Sequence, residues 1–198
     1  MKRSVDHNAR KRQIIQQSIR LFAELGYKNV SFREISERCG IARTVLYRYF
    51  RDKRQIFDLG IVYMMDDFMQ RNAAIFRSRL PSAVRLRQLC TMLMTTLFDN
   101  RELLGVILDF LLGLKHRGFD PAPRVRMFTR NFRRLLHMLI ARGVHRGEFR
   151  KDVDVDLYTD LIYAQYESVF IRLTVSGDAV RADLVARMDE LLKGLETK

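Results

Sequence analysis

An all-α fold is predicted by three observations. Apolar residues recur at i, i+3, i+4 and i+7 through most of the 198 residues, no stretch alternates with period two long enough to make a strand, and cap and turn residues break the apolar runs at helix-length intervals. The expected arrangement is an amino-terminal three-helix group, residues 1–54, in which two short helices meet at a tight turn. A larger helical domain, residues 55–198, follows it.

The elements follow in order. Over residues 9–25, Ile15, Ile19 and Phe22 form one stripe with Ile14, Leu21 and Leu25 beside it, and Gly26 ends the helix. Ser31 and Glu34 fit the S-x-x-E capping box that starts the next helix, whose stripe is Phe32, Ile35, Ser36 and Cys39. Gly40 stands where the turn calls for a residue tolerant of positive φ, and Leu46, Tyr49 and Phe50 give the following helix its apolar side. Asp52 with Gln55 repeats the capping logic, and the helical pattern then continues from about Lys53 to about Arg79 with Gly60 inside it. Pro81 opens a helix to about Phe98, and Asn100 caps another to about Leu114. The loop HRGFDPAP leads into a helix over 124–146, HRGEFRKDVD breaks the chain again, and two last helices cover 156–175 and 178–195.

If Leu46 and Phe50 point inward, Arg43, Thr44, Tyr47 and Arg48 lie together on the outside with no carboxylate among them. A solvated helix face normally mixes signs; this one does not. The chain carries a formal +13 with a pI near 10.3, and residues 1–54 hold 14 Lys/Arg against 5 Asp/Glu, so +9 of that charge is concentrated around this face. Two short helices with a basic, aromatic outer face are suited to the major groove of DNA, and clustered charge is the footprint of a phosphate backbone. On that reading Arg43 and Thr44, with Arg48 beside them, reach base edges, while Ser31, Arg33, Tyr47 and Lys53 hold phosphates.

The segment FREISERCGIARTVLYRYFRDKRQIF, above all Leu46-Tyr47-Arg48-Tyr49-Phe50 followed by Asp52-Lys53, resembles the DNA-binding signature of the tetracycline-repressor (TetR) family of bacterial regulators. The upstream LFAELGY agrees, and the resemblance spans about residues 10–60. One departure is Ala42, at a position where the family often has a capping Ser or Thr. The resemblance implies a repressor, a carboxy-terminal domain enclosing a pocket for a small apolar or amphipathic effector, and a homodimer built from the last two helices. Pocket candidates are Met64, Met65, Phe68, Met94, Phe98, Phe128, Phe132, Tyr163 and Tyr166, Met being flexible and polarizable, with Asp109, Asn131 and Glu167 as orienting groups or as solvent-facing or paired residues. Dimer candidates are Leu157, Leu161, Val169 and Leu173, with Leu184, Met188, Leu191 and Leu195. A single helix over 53–79 would touch both domains and serve as the lever between effector and DNA. The arginines 124, 126, 130, 133, 134, 142 and 146 form either a solvated face or a receptor for an anionic headgroup.

Other classes find little support. No apolar segment follows Met1-Lys2-Arg3 and no run of about eighteen apolar residues exists, so a cytoplasmic protein without a membrane partner is expected. Cys39 and Cys90 form no C-x-x-C, the four histidines make no H-E-x-x-H, and neither a phosphate loop nor a nucleophile elbow is present. No metal, cofactor or enzymatic activity is therefore expected, and His145 with Glu148 reads as a surface contact. The function expected is that of a transcriptional regulator binding double-stranded operator DNA and released by an effector. An architectural or partner-binding DNA protein without an effector stands as the alternative.

Overall fold

The computed structural model describes residues 2–71, 73–176 and 181–196, with side chains for all of these except 2–6, 71, 76, 124, 127, 128 and 181. These form α1 (Lys2–Leu25), α2 (Phe32–Cys39), α3 (Arg43–Tyr49), α4 (Lys53–Arg71), α5 (Ala73–Arg77), α6 (Ser82–Asp99), α7 (Arg101–His116), α8 (Ala122–His145), α9 (Val155–Ile171), a π-helical segment (Arg172–Ser176) and α10 (Arg181–Lys193). No strand occurs among the described residues. The chain divides into two compact units, Met1–Asn72 and Ala73–Lys198.

In the first unit α1 packs against α2 and α4, and α2 against α3. Phe22, Tyr27 and Phe57 form a ring cluster with centroids 5.0–5.5 Å apart, and Ile14, Ile15, Ile35, Leu46, Phe50 and Ile56 are buried around it. Glycine inside a helix is usually a cost, but Gly60 has a reason to be there. A Cβ at that position would stand 2.2 Å from Ile19 Cδ1 of α1, so the two helices approach at the distance a bare backbone allows. That approach holds α4 to α1, and the division falls between residues 72 and 73 rather than at the expected 54/55. The helix expected over 53–79 is found as α4, Lys53–Arg71, and α5, Ala73–Arg77, with residue 72 outside the described residues, and the helical turns end at Arg77 rather than at 79. Near the end of α4 Asp66, Asp67, Met69 and Gln70 are all exposed.

In the second unit α6 is central and packs against α5, α7, α8, α9 and α10. Leu86, Leu89, Cys90, Met94, Leu136, Ile140, Ile162 and Val169 make the core, sealed at one end by Leu184, Met188, Leu192 and Leu195. The caps differ from those expected. Asn100 does not cap α7; its side-chain amide donates to Thr96 O at 2.7 Å and closes α6 instead. Pro81 gives α6 no cap either, and the Ala83 N–H donates to the Glu148 carboxylate at 3.1 Å, from 65 residues away. The end of α10 is tied down by Tyr158 Oη and Arg150 Nε, both donating to Gly194 O at 3.0 Å.

Candidate DNA-reading surface

The start of α2 is a complete capping box. Ser31 Oγ accepts from the Arg33 and Glu34 N–H groups, and the Ser31 N–H donates to Glu34 Oε2 at 2.6 Å. These contacts, the Ser31 hydroxyl foremost, hold the Glu34 carboxyl below its ordinary range. Gly40 adopts φ 61°, ψ 38° and closes α2, with its N–H and that of Ile41 satisfying carbonyls of the last turn. Arg38 grips Glu24 of α1 through both guanidinium nitrogens, the first at 3.0 Å, which fixes α2 on its brace. The α3 start has no side-chain cap at Ala42, as expected.

With α2 and α1 set, Leu46 and Phe50 drop into the core and α3 shows its other side. Arg43, Thr44, Tyr47 and Arg48 are all exposed, and neither Arg43 nor Arg48 has an ion-pair partner among the described residues. Tyr47 is 56% exposed and lies against Phe32, with ring centroids 4.8 Å apart, which aims its hydroxyl outward from a fixed base. Arg33 pairs with Glu37 at 2.8 Å, but both ends are exposed, so the pair contributes little and can exchange for a phosphate.

Two of the expected phosphate contacts are differently employed. Lys53 Nζ donates to Tyr27 O at 2.9 Å, Lys28 O at 3.1 Å and Val30 O at 2.7 Å, and sits 4.7 Å from the Tyr27 ring centre. Three N–H donors on three carbonyls leave none for DNA; the side chain anchors the loop that delivers Ser31. Ser31 is likewise engaged in its cap. The early part of α1 also has a part in the surface that was not foreseen: His7 stacks on Tyr49 of α3 at 4.5 Å, and Lys11 lies 5.7 Å from the Phe50 ring centre. Nothing in the spacing of 1–12 announces those contacts, which depend on the crossing of α1 over α3.

The family model for bacterial regulatory proteins of the tetR family matches residues 14–59, the span that builds this surface. These residues are a TetR-family DNA-binding domain. Its relatives include the transcriptional repressor KstR2 of Rhodococcus jostii, 25% identical over 181 residues that cover 91% of this chain and 87% of that protein. Its fold is that of a TetR transcription regulator from Haloarcula marismortui, with TM-score 0.83 at 18% identity, covering 96% and 100% of the two chains. The regulator FadR of Bacillus subtilis, solved in complex with stearoyl-CoA, gives 0.70 at 21% identity, covering 93% and 98%. The protein that carries this domain is a DNA-binding transcriptional regulator.

In the second unit the expected ligand residues scatter. Met94 and Tyr166 are buried in the core, the Tyr166 hydroxyl donating to Cys90 O at 3.0 Å, and Phe98, Phe132 and Tyr163 pack around them half-buried. Asp109, Asn131 and Glu167 are exposed, Met64, Met65 and Phe68 belong to α4 of the first unit, and the Phe128 side chain lies outside the described residues. Burial pushes the Cys90 thiol up to about 12 and raises that of Cys39, so neither is held as a reactive thiolate. Among the described residues no group of three or more His, Cys, Asp or Glu could hold a metal, and no helix is long and apolar enough to cross a membrane.

The dimer candidates divide sharply. Val169, Leu184, Met188 and Leu195 are buried within the chain, which corrects their assignment to an interface because they have little surface left to offer, while Leu173 and Leu191 pack half-buried against the same core. Leu157 and Leu161 are different. They begin a stripe of exposed residues on α9, Leu157, Leu161, Ala164, Ser168 and Ile171, continued by Val175, at alternating spacings of four and three. That spacing is the a/d period of a coiled-coil stripe.

Proposed function

We propose that this protein is a homodimeric operator-binding repressor of the TetR family, acting in the cytoplasm and released by a small apolar or amphipathic effector taken up by the second unit. The observation that carries the reading is the exposed α3 face, where Arg43, Thr44, Tyr47 and Arg48 stand clear of any carboxylate on a helix held by a capping box and a buried Leu46. Arg43 and Thr44 read bases, Arg48 lies beside them, and Arg33 and Tyr47 set the register on phosphates.

Dimerization follows from the α9 seam. An unpartnered apolar stripe of that length is costly in water, and two copies related by a two-fold axis cover it reciprocally. The same axis presents two reading helices to half-sites about 34–36 Å apart, so the operator is roughly palindromic. The effector class is supported by the Met- and Phe-rich packing around α6 and by the stearoyl-CoA bound in the similar Bacillus regulator.

Selection of bound fragments from random duplex DNA, followed by fluorescence anisotropy, tests the reading. The expected result is a palindromic site, bound by a dimer with a steep salt dependence, and loss of that complex on adding long-chain acyl thioesters or steroid acids. Sequence-independent binding that no such compound weakens would instead make the protein an architectural DNA binder.

A further inference from the structure

We propose that the groove between α8 and α9 is a binding site for a phosphate-bearing small molecule, with Arg126, Arg130 and Arg134 as its anion receptors. The groove has a volume of about 650 Å3, within the range of ligand sites. Its α8 wall carries those three arginines at i, i+4 and i+8, hence on one side of the helix and about 6 Å apart along its axis.

Three features distinguish this wall from an ordinary solvated face. First, α8 contains no Asp or Glu at all, so nothing on the helix itself offsets its arginines, and like charges four residues apart repel. Second, the carboxylates on the α9 wall are already engaged: Asp160 pairs with Arg133, and Asp156 lies 3.3 Å from His137 Nε2. Arg126, Arg130 and Arg134 have no ion-pair partner among the described residues. Third, the helix dipole does not support the charge. The Asp120 carboxylate accepts from the Ala122 N–H at 2.9 Å just before α8, the first turn itself has no acidic residue, and Arg126, one turn in, lies in the amino-terminal half of the helix where a cation gains nothing from the dipole.

A chain that keeps three mutually repelling guanidiniums along a concave surface gains most when an anion joins them. Guanidinium forks match phosphate oxygens in pairs, and the 6 Å spacing suits a diphosphate held between neighbouring forks better than a single carboxylate. On α9 the groove-lining Asp156 and Asp160 are turned about a quarter turn from the middle of the Leu157–Ile171 seam, so a partner subunit on that seam and a ligand in this groove occupy adjacent, not identical, faces.

The test is calorimetric titration of the full chain at low salt with inorganic pyrophosphate, adenosine diphosphate, orthophosphate and sulfate. Saturable binding of pyrophosphate and the nucleotide at one per chain is expected below about 1 mM, with the two single anions weaker. Arg130→Gln and Arg134→Gln should each weaken pyrophosphate about tenfold, and the triple change with Arg126→Gln should abolish it. These side chains are exposed and unpaired, so unchanged circular dichroism and unchanged operator affinity in the variants identify a local loss. Equal pyrophosphate affinity in wild type and triple variant, or no saturable binding, overturns the proposal. So does stoichiometric displacement of pyrophosphate by duplex DNA, which would make the groove a nucleic-acid contact. The site stands apart from the operator reading: failure to bind an operator would leave pyrophosphate binding intact.

Discussion

Replacing Lys53 with Ala separates a phosphate contact from an anchor. The ammonium is held by three carbonyls, those of Tyr27 and Val30 partly shielded from water and that of Lys28 exposed. Hydrogen bonds to charged groups contribute about 1.5–3 kcal/mol each, and water can take over the exposed one and part of the others, so a loss of about 3 kcal/mol is expected. The loss is local to the loop 27–30 and the capping box behind it, and because the two units need not unfold together a single melting curve is the wrong readout. Hydrogen exchange reads it directly: at about 1.4 kcal/mol per decade, amides at the start of α2 should exchange about a hundredfold faster. A lost phosphate contact, by contrast, would reduce the slope of log affinity against log salt by about 0.9. The anchor reading expects faster exchange and an unchanged slope at a folded fraction of one. Native exchange rates together with a slope shallower by about one would refute it and restore Lys53 to the DNA.

Arg43→Ala should relax sequence preference at one operator position and cost about 1–3 kcal/mol on specific DNA, measured by anisotropy on single-base operator variants; equal loss on random DNA would remove Arg43 from base readout. Gly60→Ala should destabilise the first unit by about 1–3 kcal/mol despite the gain in helix propensity, because the new Cβ would meet Ile19 at 2.2 Å, and a compensating Ile19→Ala should recover most of that loss in urea denaturation. Ile171→Glu, which would place a charge in the α9 seam, should convert the dimer to monomer in sedimentation, whereas Leu184→Ala should cost about 2–5 kcal/mol of unfolding stability and leave the dimer intact. The Glu34 carboxyl is lowered from 4.5 by its bonds with Ser31, so its contribution to the α2 start is full above pH 4.5 and is lost as pH falls through the lower folded value; a carboxyl titration by NMR with a midpoint at or above 4.5 would contradict the cap.

The reading surface was legible because its determinants are local. A capping box, an αL glycine and the alternation of Leu46 and Phe50 with Arg43, Thr44, Tyr47 and Arg48 all act within one or two helical turns, so spacing alone states which side faces out. The interface expectation mixed two stripes: Leu157 and Leu161 are exposed on α9, whereas Val169, Leu184, Met188 and Leu195 are taken by the core. An apolar stripe states that a face is to be covered, and Leu184, Met188 and Leu195 could be covered by the same chain or by another until their neighbours were known.

The sequence by itself determined the helical class, the position and polarity of α3, and the concentration of positive charge around it. Only the tertiary structure decided what the long-range groups do. Lys53 lies 23 to 26 residues from the carbonyls it binds, Glu148 caps a helix 65 residues before it, and Gly60 is explained by an isoleucine on another helix. The physical reason is common to all three. A flexible charged side chain or a missing Cβ leaves no periodic trace, and its role is set by which backbone groups the packed helices bring within about 3 Å, a distance that folding alone determines.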